Sequence, residues 1–454
     1  MRTHRIKKGF DIKLMGRPAA EMADAPEPDF VAVTPEDFDK IRPKVMVKEG
    51  DWVQTGQPLF RDKLTEGLQF VSPATGSVSK VEMGPGRKLL RIEVTPTAED
   101  SFFGGHPSID AGAIDSVSRD ELTAALKSAG LWPLVRQRPG GLIAKAELVP
   151  SAIYVNGMDT EPLAADPAFA VQGHGAELQL GFRALARLTD GSVYLTCAGG
   201  RSDLPSELAE LQGVEVHRFD GPHPAGLVGT HIAAIAPLAA NQVAWYLKAQ
   251  EVVQIGQWLA TGRYPTHRVV AVSGTGAPQA RYWRVRQGAA LSTLTGDRSP
   301  EGDERVINGT VLTGRTGATT DALGYYAHTV TIIPEGSGKR DLFGWALPQF
   351  GKHSASRAVF GWIFPKKAYD LDTRLNGSPR AIVNMGIWED MTPLDIYPTQ
   401  LVRAIKAGDI EEATSLGLLE VTEEDVALCT YADPCKIDVG AIIREGHDLY
   451  EEEG

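Results

Sequence analysis

A lysine placed at a tight turn between two strands can carry a prosthetic group, and Asp62-Lys63 is the candidate for that chemistry in this chain. Lys63 leads into Leu64-Thr65-Glu66-Gly67, a connection too long for a projecting hairpin lysine, and no Met-Lys-Met biotin signature is present. The expectation is a structural module, not a carrier. Thiol chemistry has three candidates, Cys197, Cys429 and Cys435, too few and too scattered for a disulfide framework, so a reducing compartment is the default. Cys429 and Cys435 could pair or bind a metal, but two thiols without a nearby His constellation are weak grounds for either. Phosphate-cradling loops are missing, since no GxGxxG or Walker A pattern follows an expected strand. Asn156-Gly157-Met158-Asp159 does fall at the carboxyl end of such a strand, where α/β sheets commonly bind ligands.

The elements that must position these residues read as an α/β multidomain chain. Residues 1–100 form a β-sandwich module of the biotinyl/lipoyl kind, a barrel-sandwich. Val45, Val47, Val53, Leu59, Phe60, Val71 and Val78 supply its short strands, and Gly50, Gly56 and Gly76 sit at reversals that suit positive φ. Leu89–Val94 closes it. Ser118 and Glu121 then predict a capping box for a helix that Gly130 ends. Between residues 150 and 273, Ala152–Asn156, Ser192–Thr196, Val214–Phe219 and Arg268–Ser273 read as strands separated by helical stretches, implying a parallel-leaning sheet. Short β segments to about Ile333 suggest a compact α+β module. From Pro398 the chain reads as helical, with Thr422 and Asp425 in capping-box positions and a solvated or frayed acidic tail at Glu451-Glu452-Glu453.

The 454 residues carry a formal net charge of −12, which argues against a nucleic-acid partner. The basic N-terminus lacks the apolar core of a secretory signal. The most apolar stretch, Ala225 to Leu247, is interrupted by Thr230, His231, Pro237, Asn241 and Gln242, so no transmembrane span is expected.

The long motifs KKGFDIKLMGRPA, RPKVMVKEGDWVQTGQPLF, FVSPATGSV, SAGLWPLVRQRP, IYVNGMDTEPLAADP, GPHPAGLVGTHI, LFGWALP, PLDIYPTQLVRAIKAGD and LEVTEEDVALCTYADPCK run in one order along the chain. Together they resemble the A subunits of the bacterial sodium-translocating NADH:quinone oxidoreductases. The resemblance implies a peripheral subunit, without a transmembrane helix, on the cytoplasmic face of the bacterial inner membrane. Its partners would be the other, membrane-embedded subunits of a complex that oxidises NADH, reduces ubiquinone and exports sodium. More distant kin, RnfC and the NADH- and flavin-binding subunit of complex I, imply the domain order: barrel-sandwich at 1–100, Rossmann-like α/β domain at 101–265, ubiquitin-like (SLBB-type) module at 266–340, connecting segment at 341–397 and C-terminal helical domain at 398–454.

Three departures from those kin shape the functional expectation. Where they carry a glycine-rich loop, this chain has Leu131-Trp132-Pro133-Leu134-Val135-Arg136-Gln137-Arg138-Pro139-Gly140-Gly141; its bulk and its prolines disfavour a flavin or NADH site. Their four iron-sulfur ligands correspond here to Glu423, Val426, Cys429 and Asp433, leaving one thiolate of four. Their charged helix start is replaced in the His223–Ile232 segment by Leu227, Val228 and Gly229. His223 and His231 could line an apolar pocket and handle protons; a tight turn with two satisfied histidines is the favoured alternative.

The expectation is therefore no cofactor bound by this chain, flavins and Fe-S clusters in partner subunits, and ubiquinone as a ligand. Quinone needs an apolar slot plus donors aimed at its carbonyl oxygens. Trp132, Val135, Arg136 and Arg138 offer that mixture, as do Phe38, Ile41 and Arg42, with His223 and His231 as further candidates. In the alternative reading the arginines pair with carboxylates, Phe38 is core and the chain is a non-catalytic scaffold that docks the membrane subunits.

Overall fold

The computed structural model describes residues 2–107, 109–200, 205–239, 241–296, 303–336, 353–355, 360–383 and 385–453. The Leu342–Pro348 motif and part of the connecting segment lie outside them.

The alternating valines and phenylalanines near the N-terminus build a sandwich of two antiparallel sheets. One has the order Val31–Val33, Leu89–Pro96, Gly76–Met83, Trp52–Val53, the other Pro43–Val45, Pro58–Asp62, Gln69–Val71. Val53, Leu59, Phe60, Val71 and Val78 are buried between them. Gly50 and Gly56 take φ of 87° and 86°, as their turns require. Gly76 is needed for a different reason from the expected one: it lies in a strand, and a Cβ there would come within 1.9 Å of the Thr95 carbonyl oxygen. Lys63 is exposed at the start of the connection 63–68.

The first 24 residues pair outside this sandwich. Arg2–Arg5 runs parallel to Glu215–Asp220, and Ala19–Asp24 runs parallel to Arg281–Arg286, with Ile12 between them buried among the C-terminal helices. Local periodicity could not show this, because strand pairing over such separations is decided by the assembled sheets.

The α/β sheet has the order Arg2–Arg5, Glu215–Asp220, Ser192–Ala198, Ala152–Asn156, Ala244–Lys248, Arg136–Arg138. All neighbours are parallel except the last pair, which is antiparallel. Helices Gly175–Ala186 and Ala249–Thr261 cover one face and touch backbone to backbone: a Cβ on Gly256 would lie 1.8 Å from the Glu177 carbonyl oxygen, and one on Gly181 would lie 2.3 Å from that of Val252. His267–Ser273 does not continue this sheet, as the alternation suggested. It sits inside a second six-stranded sheet, ordered Arg315–Gly317, Glu304–Asn308, Thr329–Pro334, His267–Ser273, Arg281–Arg286, Ala19–Asp24.

Helices Ile387–Met391, Pro398–Ala407, Ile410–Ser415, Glu423–Ala432 and Val439–Glu453 share a core that includes Leu401, Val402, Ile405, Val426 and Ile443. The acidic tail is the end of the last helix, and Lys40 reaches its Asp448 at 2.5 Å and Glu451 at 3.1 Å. Among the described residues no helix is long and apolar enough to cross a membrane.

Candidate functional site

Strand alternation sorts the α/β sheet into two unlike faces. Arg136 stands opposite Tyr246 and Arg138 opposite Ala244, while Tyr154 and Asn156 stand opposite Tyr246 and Lys248. Side chains two apart share a face, so Arg136, Arg138, Tyr246, Lys248, Tyr154 and Asn156 all project to one side. Gln137, Trp245 and Val155 project to the other. There Trp132 meets Trp245 edge to face at 5.3 Å and donates its indole N–H to the Ala144 carbonyl at 2.8 Å. Trp132 and Val135, expected as pocket walls, are fully buried in the main core.

On the basic face, Arg138 is committed. It donates to Asp425 Oδ2 and to Glu424 Oε1, each at 2.6 Å, and is itself 3% exposed. The same Asp425 oxygen accepts from the Thr422 backbone N–H at 2.9 Å, closing the expected capping box. Burial opposes ionisation of both carboxyls. In Glu424 the charges of Arg138, Arg136 and Lys248 overcome it and hold the group below its ordinary value; in Asp425 burial prevails and the group lies above its own. Gly229, one of the residues replacing the charged helix start, lets this junction close: a Cβ there would come within 2.3 Å of Asp425 Oδ1. Arg138 therefore ties the α/β domain to the helical domain and is not a free donor for quinone.

Arg136, two residues earlier, is placed differently. Its guanidinium carbon packs over the rings of Tyr246 and Tyr326, at 4.5 and 4.7 Å from their centroids. Its Nε, like that of Arg138, is buried with no hydrogen-bond partner, but unlike Arg138 it has no carboxylate at ion-pair distance among the described residues. It faces a cleft of about 790 Å³ whose wall also includes Lys248, Glu161, Tyr246 and Tyr326. Tyr326 donates to the Pro133 carbonyl at 2.7 Å and packs edge-on against Phe38 at 5.9 Å. Phe38 also meets Phe70 at 4.5 Å and Tyr325 at 4.8 Å. The Phe38 stretch and the 132–138 stretch, far apart in sequence, are thus brought together through Tyr325 and Tyr326. Ile41 packs partly buried on the sandwich core and Arg42 is exposed, its backbone N–H given to Asp62 Oδ1 at 2.8 Å; neither lines the cleft.

Sequence reasoning missed Tyr246, Tyr326, Lys248 and Glu161. Lys248 ends a strand, and its Nζ stands 3.4 Å from Asp159 Oδ2. Glu161 lies two residues beyond the Asn156–Asp159 loop and accepts from the hydroxyls of Thr310 at 3.1 Å and Thr313 at 2.8 Å. Burial, with Asp159 nearby, pushes its carboxyl up to about 8. Its signal in the sequence was the strand end preceding it.

The two histidines separate. His231 uses both ring nitrogens, one with the Thr196 hydroxyl at 3.1 Å and one with the Ala225 carbonyl at 3.0 Å, and burial pushes it down to about 3. It is a satisfied core histidine. His223 contacts the Thr160 hydroxyl at 3.1 Å through Nδ1, but its Nε2 is buried without a partner, and burial pushes it down to about 4. Neither lines the cleft.

Of the cluster-equivalent positions, Val426 and Cys429 form part of the helical core. Glu423 pairs with Arg444, Val426 is 1% exposed, and Asp433 Oδ2 accepts from the Ile437 N–H at 2.8 Å. Cys429 is fully buried and its thiol is pushed up to about 12 by burial. Cys429 and Cys435 are both free thiols. Among the described residues no group of three or more His, Cys, Asp and Glu is placed to hold a metal ion.

Three family models match the chain: the NqrA N-terminal barrel-sandwich hybrid domain over residues 4–97, the NqrA second alpha/beta domain over 117–264 and the NQRA C-terminal domain over 269–318. Among curated relatives, the A subunit of the Na(+)-translocating NADH-quinone reductase of Neisseria meningitidis serogroup B is 39% identical over 451 residues, covering 99% of this chain and 100% of its own length. Its counterpart in Neisseria gonorrhoeae is 38% identical over 453 residues, covering 99% and 100%. That of Pasteurella multocida is 38% identical over 450 residues, covering 99% of each. An air-oxidized NAD+-reducing [NiFe]-hydrogenase chain aligns with a TM-score of 0.36 at 13% identity, over 78% of this chain and 68% of that one, too distant to carry an argument. Identity at this level over essentially the whole length means that the chain belongs to the family of Na(+)-translocating NADH-quinone reductase A subunits.

Proposed function

We propose that the chain serves as the A subunit of a Na+-translocating NADH:ubiquinone reductase, supporting reduction of ubiquinone to ubiquinol coupled to sodium export. In this reading it is a peripheral subunit on the cytoplasmic face of the bacterial inner membrane, docked on membrane-embedded partners that carry the flavins and Fe-S clusters. Its domains run as a barrel-sandwich at 1–100, whose first 24 residues add strands to the next two domains, a Rossmann-like α/β domain at 101–265, an SLBB-type ubiquitin-like module at 266–340, a connecting segment and a helical domain from 398. It contacts quinone without a flavin, NADH or Fe-S site of its own.

One observation supports the quinone reading: Arg136 and Tyr326 stand together in the wall of the cleft, with Phe38, itself a buried core residue outside the wall, packed behind Tyr326. That wall supplies aromatic surface for a ring and N–H groups for a carbonyl oxygen that gains negative charge on reduction. Titrating the purified chain with a short-chain ubiquinone should quench tryptophan fluorescence saturably, and Phe38→Ala or Arg136→Ala should weaken that binding. No saturable effect would favour the second reading, a non-catalytic scaffold, which the Arg138 junction supports by joining two domains through the family's own motif. A flavin band in the visible spectrum of the pure chain would overturn the claim that the chain binds no flavin.

A further inference from the structure

The cleft contains cations that the chain itself does not fully neutralise. The Arg136 guanidinium carbon packs over two tyrosine rings, at 4.5 Å from the centroid of Tyr246 and 4.7 Å from that of Tyr326, and its N–H groups lie in its own plane. A planar fork of N–H groups matches two oxygens of one anion better than a single carbonyl oxygen. Lys248 projects from the same face of the sheet, at the carboxyl end of Ala244–Lys248, and the Arg136 charge acts on it directly.

Carboxylates also line the cleft, and each has other partners, although the Glu424 charge also acts on Arg136 and Lys248. Glu424 holds Arg138, and Glu423 holds Arg444. Asp37 accepts the Tyr325 N–H at 2.8 Å and faces Arg315 at 3.8 Å. Asp438 caps the last helix through the Ala441 N–H, and Asp39 is exposed at the rim. Glu161 is held by two threonine hydroxyls and retains its proton near neutrality. Gly309, Gly314 and Gly324 also line the cleft, whose volume of about 790 Å³ leaves room for a ligand. Lys248 has Asp159 at 3.4 Å, and the charges of Glu251 and Glu424 also act on it, so its ammonium is partly offset.

We propose that this cleft contains an oxyanion subsite, in which the Arg136 edge and the Lys248 ammonium bind the carboxylate or phosphate group of a small organic anion. The inference uses the same cleft as the quinone reading but does not depend on it, because a simple inorganic ion is enough to test it.

The test is calorimetric titration of the full-length chain with sulfate and, in a separate arm, with acetate, at constant ionic strength in chloride. Saturable one-site binding is expected for at least one probe, with sulfate preferred if the ligand carries phosphate and acetate preferred if it carries carboxylate. Arg136→Gln and Lys248→Gln should each weaken it at least tenfold, and Tyr326→Leu, which keeps the charge but frees the guanidinium, should weaken it severalfold. Arg444→Gln, at the rim and paired with Glu423, should change it less than twofold. Circular dichroism and melting temperature confirm that each variant is folded. Absence of saturable binding, equal binding by Arg136→Gln and the parent, or equal competition by chloride would overturn the subsite. Quinone titration of the same preparations separates the two readings: sulfate binding with no quinone binding sinks only the quinone reading, and the reverse sinks only this one.

Discussion

Arg136 and Arg138 leave the same face of one three-residue strand, yet one belongs to a closed junction and the other to an open cleft. Arg138 is enclosed by two carboxylates from the helical domain, with Gly229 allowing the close approach. Arg136 packs over two aromatic rings and, among the described residues, has no carboxylate at ion-pair distance. The difference teaches that the type of neighbour, together with burial, separates a structural arginine from a binding one: Arg138 is buried against carboxylates and Arg136 is half-buried against rings. A carboxylate consumes the charge, whereas a tyrosine face holds it in place and leaves the edge free.

The sharpest way to break that contrast is at the junction. Arg138→Ala should strand Asp425 as an unpaired buried carboxyl and destabilise the protein by about 3–5 kcal/mol, read by urea unfolding. Arg138→Leu combined with Asp425→Leu should recover part of that loss, because burying no charge is better than burying half a pair. A single-variant loss below that of Arg136→Gln would mean that the junction has been misassigned.

The open side should show its character in pH dependence. Glu161 is raised above its unfolded value by burial and by Asp159, with Lys248 opposing and Glu424 adding to the effect. The folded state therefore holds this proton more tightly than the unfolded one. Stability from this group is greatest at acid pH and declines as pH rises from the unfolded carboxyl value, near 4.3, to about 8, where the loss levels off. Glu161→Gln cannot lose a proton, so relative to the parent it should gain stability from pH 5 to pH 9 in thermal melts. A constant difference across that range would refute the assignment.

The smallest effect belongs to Arg136 itself. Arg136→Gln removes cation–π contacts but no ion pair, so it should cost about 1–2 kcal/mol in stability. A loss as large as that of Arg138→Ala would show that this arginine too is structural.

Much of the scaffold was legible because it rests on local chemistry. The Thr422–Asp425 capping box, the turns at Gly50 and Gly56 and the helix ending before Gly130 follow from backbone geometry that a few neighbouring residues set. The site was legible only in part. Phe38 and the 132–138 stretch were singled out as separate candidates; nothing local indicated that Tyr325 and Tyr326 would join them, or that Trp132 and Val135 would face the core instead. His223 and His231 read alike in sequence and differ in the fold, one with a buried nitrogen unpartnered and one satisfied at both.

The sequence by itself determined the family, through identity spread over the whole chain, and the local turns and the Thr422–Asp425 capping box; that residues 136–138 form a strand, which puts Arg136 and Arg138 on one face, came from the fold. Tertiary structure alone decided which arginine is neutralised. The carboxylates that select Arg138 come from residues 424 and 425, and the ring that covers Arg136 beside Tyr246 comes from residue 326; electrostatic and packing partners that far along the chain are fixed only when the domains close on one another.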